Sequence, residues 1–313
     1  MSGNDQLRQA AGDYLAIRRR LGFKLQGHDR LLASFLDYLE CSESSTITVQ
    51  SAVAWATAPA GVSAGYWRDR LCAVRGFARH VQGIDSSTEV PPLELIAGRR
   101  QRRTPYLYSQ SDIAALMEAA ACLRPALRGA TYQALFGLLI CTGMRVGETI
   151  ALDRGDVDLR AGMLEIKEAK FRKHRRLPLH GSAVAALGRY AELRDRFCAR
   201  PKDPSFFVST RGTRLLYVCV NQVFRKLVEE IGLTAQPRAG RPRIHDLRHG
   251  FATASVQDFH RSGADPAGKL PVLSAYLGHA DPAYTYTYIY LHACPELLGL
   301  AAQRLERFEE GQR

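Results

Sequence analysis

The sequence predicts a mainly α protein with a small β-sheet (α+β), divided into two domains. Three observations carry this. Apolar residues recur three and four apart in several segments, the spacing of one buried helix face, most clearly at Trp67, Leu71, Val74, Ala78 and Val81. Two short segments, Met163 to Lys167 and Arg175 to Leu179, read as strands around a basic turn, because Leu164 and Ile166 alternate with charged neighbours. A Ser/Pro-containing stretch, Asp85 to Pro92, leads into the basic run Arg99 to Arg103 and then Thr104-Pro105, which is the composition of an interdomain linker.

In chain order, Gln6 to Arg20, Asp29 to Glu40 and Val49 to Ala58 are expected as helices. A fourth starts near Ser63, and the module ends near Gly83. This sets a helical domain over 1–98, with linker from about 85, and a second domain over 99–313. The second domain opens at Ser109, a hydroxyl suited to cap a helix running through Ala121. A buried helix, Tyr132 to Cys141, comes next. After the two strands, Val220, Val223, Phe224, Leu227, Val228 and Ile231 form another helical stripe. Leu297, Leu298, Ala301, Leu305 and Phe308 give an amphipathic C-terminal helix over 295–310, which packs on its own domain or on a neighbouring protomer.

Composition narrows the function. The chain has 313 residues with a net charge of +12, and residues 1–98 are neutral, with 10 basic and 10 acidic side chains. The whole surplus lies in three segments: Arg99 to Arg103 carry +4, Lys167 to Arg176 carry +5 and Arg238 to Arg248 carry +3. Charge gathered in patches on a neutral body points to a polyanion partner. The longest apolar run, Ala134 to Cys141, is far short of the roughly 20 residues that span a bilayer. No membrane partner is expected, and a soluble, cytoplasmic protein is. Seven scattered cysteines without a CxxC pair indicate neither a disulfide framework nor a zinc knuckle.

Several motifs compete for meaning. Gly263 to Lys269 fits a phosphate-binding loop except at its end, where Leu270 replaces the Ser/Thr that binds Mg²⁺, and it reads as a chance loop. Thr142 to Glu148 (TGMRVGE) sets Arg145 just after a glycine that can end the buried helix, with Glu148 as a natural partner. His245 to His249 (HDLRH) puts His245, Arg248 and His249 on one helix face; a metal pair is disfavoured because the arginine between the histidines would repel a cation. Leu277-Gly278-His279 ends an element, and Tyr284 to His292 follows as an alternating Tyr/Thr run that would by default form an edge strand or an aromatic surface patch.

Taken in order, these are an arginine, a lysine in a hairpin, a His-x-x-Arg, a histidine and a tyrosine, and the sequence resembles the tyrosine recombinase (phage integrase, Xer-type) family over nearly its whole length. The resemblance implies a helical core-binding domain followed by a catalytic domain. It implies catalytic roles for Arg145, His245, Arg248 and His279, and bracing roles for Glu148 and His249. Lys170, eight residues before Pro178, matches the hairpin lysine. For the nucleophile, the count of nine residues from His279 selects Tyr288, whereas the downstream Ile289-Tyr290-Leu291-His292 and Pro295 to Leu298 select Tyr290. The downstream register is preferred, with Tyr288 as the alternative.

The expected function is site-specific cleavage and rejoining of DNA through a 3′-phosphotyrosine, in the service of a mobile element, without cofactor or metal. The alternatives are a type IB topoisomerase-like enzyme and a non-catalytic DNA-binding protein of the same fold. Contacts to double-stranded DNA are expected from Arg99, Arg100, Arg102, Arg103, Arg172, Lys173, Arg175, Arg176, Arg241 and Arg243. Assembly into a synaptic tetramer on DNA, with or without partner recombinases, is implied by the same resemblance.

Overall fold

The computed structural model describes residues 3–23, 25, 27–92, 94–96, 104–167, 174–199, 202–236, 240–263, 265–279 and 299, with backbone only at 266 and 267. The chain divides into two compact units, Met1–Arg102 and Arg103–Arg313.

Among its described residues the first unit holds four helices: α1 (Gly3–Arg20), α2 (His28–Cys41), α3 (Val49–Thr57) and α4 (Ala64–Gln82). Their starts follow from capping chemistry. Thr48 and Ser51 form a reciprocal box, each side chain accepting the other's backbone N–H at 3.0 and 3.1 Å, and the Ser63 hydroxyl accepts from the Tyr66 amide. The apolar stripe of α4 is buried at Leu71, Val74, Ala78 and Val81, with Phe77 added, while Trp67 sits at its margin. Phe35 and Trp55 meet edge to face at 5.3 Å. Arg70 enters this core because its guanidinium stacks 3.7 Å over the Trp55 ring and donates to the Trp55 carbonyl at 2.8 Å.

The second unit holds α5 (Gln110–Ala121), α6 (Ala126–Thr142), α7 (Val146–Ala151), β1 (Val157–Asp158), β2 (Met163–Ile166), β3 (Arg175–Pro178), α8 (Gly181–Phe197), α9 (Tyr217–Glu230), α10 (Asp246–Arg261) and α11 (Pro266–Leu277). The mainly α class with a small sheet is as expected. Ser109 caps α5 through the Asp112 amide, as its position predicts. The strands pair antiparallel in the order β1-β2-β3, with Leu164 opposite both Val157 and Leu177. Alternation turns Leu164, Ile166 and Leu177 into the core formed around α6 by Leu135, Phe136 and Leu139. Phe136 meets Phe224 of α9 edge-on at 5.6 Å.

Several elements differ from the sequence reading. α6 begins six residues before Tyr132, at Ala126. α7, α8 and α11 are additional helices, and β1 is an additional strand. The phosphate-loop match lies at the start of α11, where the Asp265 carboxylate accepts the Gly268 amide at 3.0 Å. A helix start already capped by a carboxylate does not suit a phosphate. Among the described residues no helix is long and apolar enough to cross a membrane.

Candidate active site

The site is assembled where the ends of four helices, α6, α7, α10 and α11, meet. α6 stops at Gly143, whose φ of 60° is the left-handed conformation open to glycine, and an added Cβ would stand 2.5 Å from the Phe251 ring and 3.1 Å from Leu277. The chain therefore turns sharply and presents Arg145 at the head of α7. Glu148, one turn on, closes the turn from both sides. Its Oε2 accepts the Arg145 backbone N–H at 3.1 Å and its Oε1 accepts Nη1 of the same residue at 2.7 Å. The remaining Arg145 amino group, Nη2, donates to the Gly278 carbonyl at 2.9 Å. The Arg145 side chain stays 29% exposed.

Arg175, at the start of β3, reaches the same carboxylate with Nη1 at 3.2 Å and Nη2 at 2.8 Å. Burial alone would raise the Glu148 pKa. The hydrogen bonds and charge of Arg175, with the charge of Arg145, outweigh it and hold the carboxyl below its ordinary value. The other arm of this hairpin is tied too, since Lys167 pairs with the buried Asp156.

α10 supplies the second cluster. His245 stands at its N-cap, and Arg248 and His249 follow on its first turn. Arg248 is only 2% exposed and is spent on the fold as well as the site. Nη1 donates to the Gly143 carbonyl at 2.7 Å, and Nη2 donates to the Leu277 carbonyl at 2.8 Å and to His279 Nε2 at 2.8 Å. One guanidinium thus joins the ends of α6 and α11. The His245 and His249 rings lie perpendicular, 5.4 Å apart. Asp246 is fully buried and fixes the approach to α10 by accepting three bonds from Arg243, at 2.8 to 3.1 Å. Tyr108, whose phenol burial drives well above its usual pKa, donates to the Arg243 carbonyl at 2.9 Å.

Two of the three imidazoles of the site, those of His279 and His245, are shifted toward the neutral form. Burial, then the charges of Arg248, Arg145 and Arg175, bring the His279 pKa down to about 4. Burial and Arg248 likewise lower that of His245. The hydrogen bond agrees with this: a guanidinium can only donate, so His279 Nε2 accepts and the ring proton resides on Nδ1.

A histidine with a depressed folded pKa contributes stability that is full above its unfolded value, 6.5, and is lost as pH falls toward about 4. Glu148 acts in the same direction at lower pH. Thermal melts at about pH 7.5 and about pH 5 are expected to show a fall in Tm on acidification that is smaller in His279→Asn. An equal fall in both proteins refutes the assignment.

Among the residues expected in the site, the fold brings Arg145, Glu148, His245, Arg248, His249 and His279 together. Lys170, Tyr288, Tyr290, Arg172, Lys173, Arg99, Arg100, Arg102, Arg103 and the C-terminal helix over 295–310 lie outside the described residues. Arg176 and Arg241 are exposed, as a phosphate contact requires. Arg243 is half-exposed but bound to Asp246. Arg175, expected on DNA, is turned inward: its side chain is 11% exposed and its guanidinium is committed to Glu148. The signal was present in strand periodicity, because Arg175 shares a face with the buried Leu177 while Arg176 shares the other with Pro178. Asp246 and Gly278 were also passed over; nothing local distinguishes them.

The sequence profile described as the phage integrase family matches residues 108–295. A Sinorhizobium fredii protein named as an integrase/recombinase, y4rB, is 40% identical over 306 residues, 96% of this chain and 97% of the relative. The tyrosine recombinase XerC of Herpetosiphon aurantiacus is 31% identical over 223 residues, 71% of this chain and 68% of its own length. Among solved structures, the Tn1549 transposon integrase in complex with transposon right end DNA superposes with a TM-score of 0.68 at 16% identity, over 98% of this chain and 100% of that one. At that identity the likeness is one of fold.

Proposed function

This chain belongs to the phage integrase family, and from that premise we propose that it is a site-specific tyrosine recombinase that cleaves and rejoins DNA through a 3′-phosphotyrosine formed by Tyr290. The observation that carries the reading is the convergence of two guanidinium groups and a neutral histidine on one segment: Arg145 donates to Gly278, and Arg248 donates to Leu277 and His279.

A phosphodiester attacked by a phenol gains negative charge on its nonbridging oxygens. Planar, permanently charged guanidinium forks suit that charge, and each fixed donor contributes about 3 kcal/mol to the transition state. Arg145 and Arg248 supply these donors. A phenol, with a reference pKa of about 10, must lose its proton to attack at neutral pH. His245, held neutral, accepts it. As the Tyr290 oxygen bonds to phosphorus, the bond from phosphorus to the 5′-oxygen breaks, and Lys170 protonates the departing oxygen. His279 hydrogen-bonds the phosphate and keeps Arg248 oriented. The phosphotyrosine retains the energy of the broken ester, so a free 5′-hydroxyl reverses the step and rejoins the strands.

The remaining assignments rest on charge and resemblance. The helical unit over 1–98 and the basic linker over 99–103 grip duplex DNA together with Arg176 and Arg241. The chain acts as a tetramer on its site in the cytoplasm, serving a mobile element.

The decisive test is a nicked suicide duplex carrying the recombination site, which can be isolated by binding selection from a random library. The wild-type protein is expected to accumulate an SDS-resistant protein–DNA adduct. Tight binding with no adduct would replace the enzyme by a DNA-binding protein of the same fold.

A further inference from the structure

We infer that Arg175 is a positioning residue of the recombination reaction, which locks the Arg145 clamp and the segment bearing His279 into one register and makes no contact with DNA. The inference rests on the recombinase reading above.

Three observations converge on it. First, one buried carboxylate serves two arginines: each oxygen of Glu148 accepts from both Arg145 and Arg175, at distances between 2.7 and 3.2 Å. If Arg175 is withdrawn, Glu148 keeps only its two bonds to Arg145, and the tie between that turn and the β3 strand is lost. The Arg175 contact is bidentate, so a lysine, a point donor on a flexible stem, cannot reproduce it. Second, Arg175 occupies the space that a side chain at Gly278 would need. A Cβ there would lie 2.5 Å from Arg175 Nη1 and 2.8 Å from Cζ, and Gly278 holds a φ of +72°. The Gly278 carbonyl in turn receives Arg145 Nη2. The residue before His279 is thus held between two guanidinium groups, one at its Cα and one at its carbonyl. Third, the adjacent Arg176 is exposed, so the strand itself separates an inward arginine from an outward one.

A misplacement of about 1 Å in a catalytic group costs about 10²-fold in rate. The inference therefore predicts a catalytic defect with intact DNA affinity. Arg175→Ala is expected to slow single-turnover adduct formation on the suicide duplex by about 10²-fold while leaving the salt dependence of DNA binding unchanged. Arg176→Ala should lower the slope of log K against log salt by about 1. A second substrate, with a methylphosphonate at the scissile position, removes the charge that Arg145 neutralises. On it, Arg175→Ala and Arg145→Ala should both recover most of the lost rate relative to wild type.

A wild-type rate for Arg175→Ala, or a slope reduced by about 1, overturns the inference. So does a rate defect that the methylphosphonate leaves in place, since that marks a role in folding alone. Should the alanine variant fail to fold by circular dichroism, Arg175→Lys carries the same measurements, with the same expected defect because charge is kept and the fork is lost. Absence of a wild-type adduct would instead count against the recombinase reading, which separates the two failures.

Discussion

Tyr290→Phe is expected to abolish the SDS-resistant adduct, and Tyr288→Phe to retain it. The expectation is all or none because the phenolic oxygen is the atom bonded to phosphorus, and phenylalanine has nothing to put in its place. DNA binding should survive in both variants, since the contacts that dominate affinity are made by arginines and lysines to phosphates. The case for Tyr290 is one of register. Counting from His279 favours Tyr288, while the Ile289-Tyr290-Leu291-His292 and Pro295-Glu296-Leu297-Leu298 segments downstream favour Tyr290. The repeat Tyr286-Thr287-Tyr288 provides a simple origin for two extra residues between them. An adduct lost only in Tyr288→Phe would reverse the assignment and make the count from His279 the better guide.

Arg248→Ala should fail in two ways at once. Adduct formation should fall by about 10² to 10³, the cost of removing one preorganised donor from a transition state that gains negative charge. The fold should also weaken. Arg248 is buried, and its removal strips donors from the carbonyls of Gly143 and Leu277, which lie at the ends of α6 and α11. Each buried carbonyl left without a donor costs about 1 to 3 kcal/mol, so a denaturant titration should register a loss of about 3 kcal/mol or more. Arg145→Ala provides the contrast. That side chain is partly exposed and donates to a single carbonyl, that of the half-buried Gly278, while Glu148 keeps Arg175, so its adduct defect should come with a smaller loss of stability. Equal stability losses in the two variants would show that Arg248 has no special part in joining the helix ends.

Much of the fold was legible where local chemistry decides. Ser63 and Ser109 mark helix starts because a hydroxyl can take up an amide that the helix leaves unbonded. Leu164, Ile166 and Leu177 mark strands because alternation sends every second side chain to the core. α8 was missed because its buried face is Leu187, Tyr190 and Arg194, so that an arginine, donating to the Phe206 carbonyl, stands where an apolar residue would signal the stripe. α11 was missed because Pro271 lies inside it and reads as a break. The start of α6 was missed because Arg128 and Gly129 interrupt its apolar pattern, although Leu127 and Thr131 are buried.

The sequence by itself determined the chemistry of this protein: the supply of arginines, histidines and tyrosines in one order, and the concentration of positive charge around them. Side-chain type sets what a group can donate, accept or attack wherever it lies, and order along the chain was enough to identify the family. What each arginine does was decided only by the tertiary structure. Glu148 can be guessed as a partner of Arg145 because they are one turn apart. Its bond to Arg175 spans 27 residues, and that of Arg248 to the Gly143 carbonyl spans 105. Bonds of that range depend on strand register and on which helix ends meet. That is why, of the two neighbouring arginines Arg175 and Arg176, one serves the carboxylate and the other faces outward.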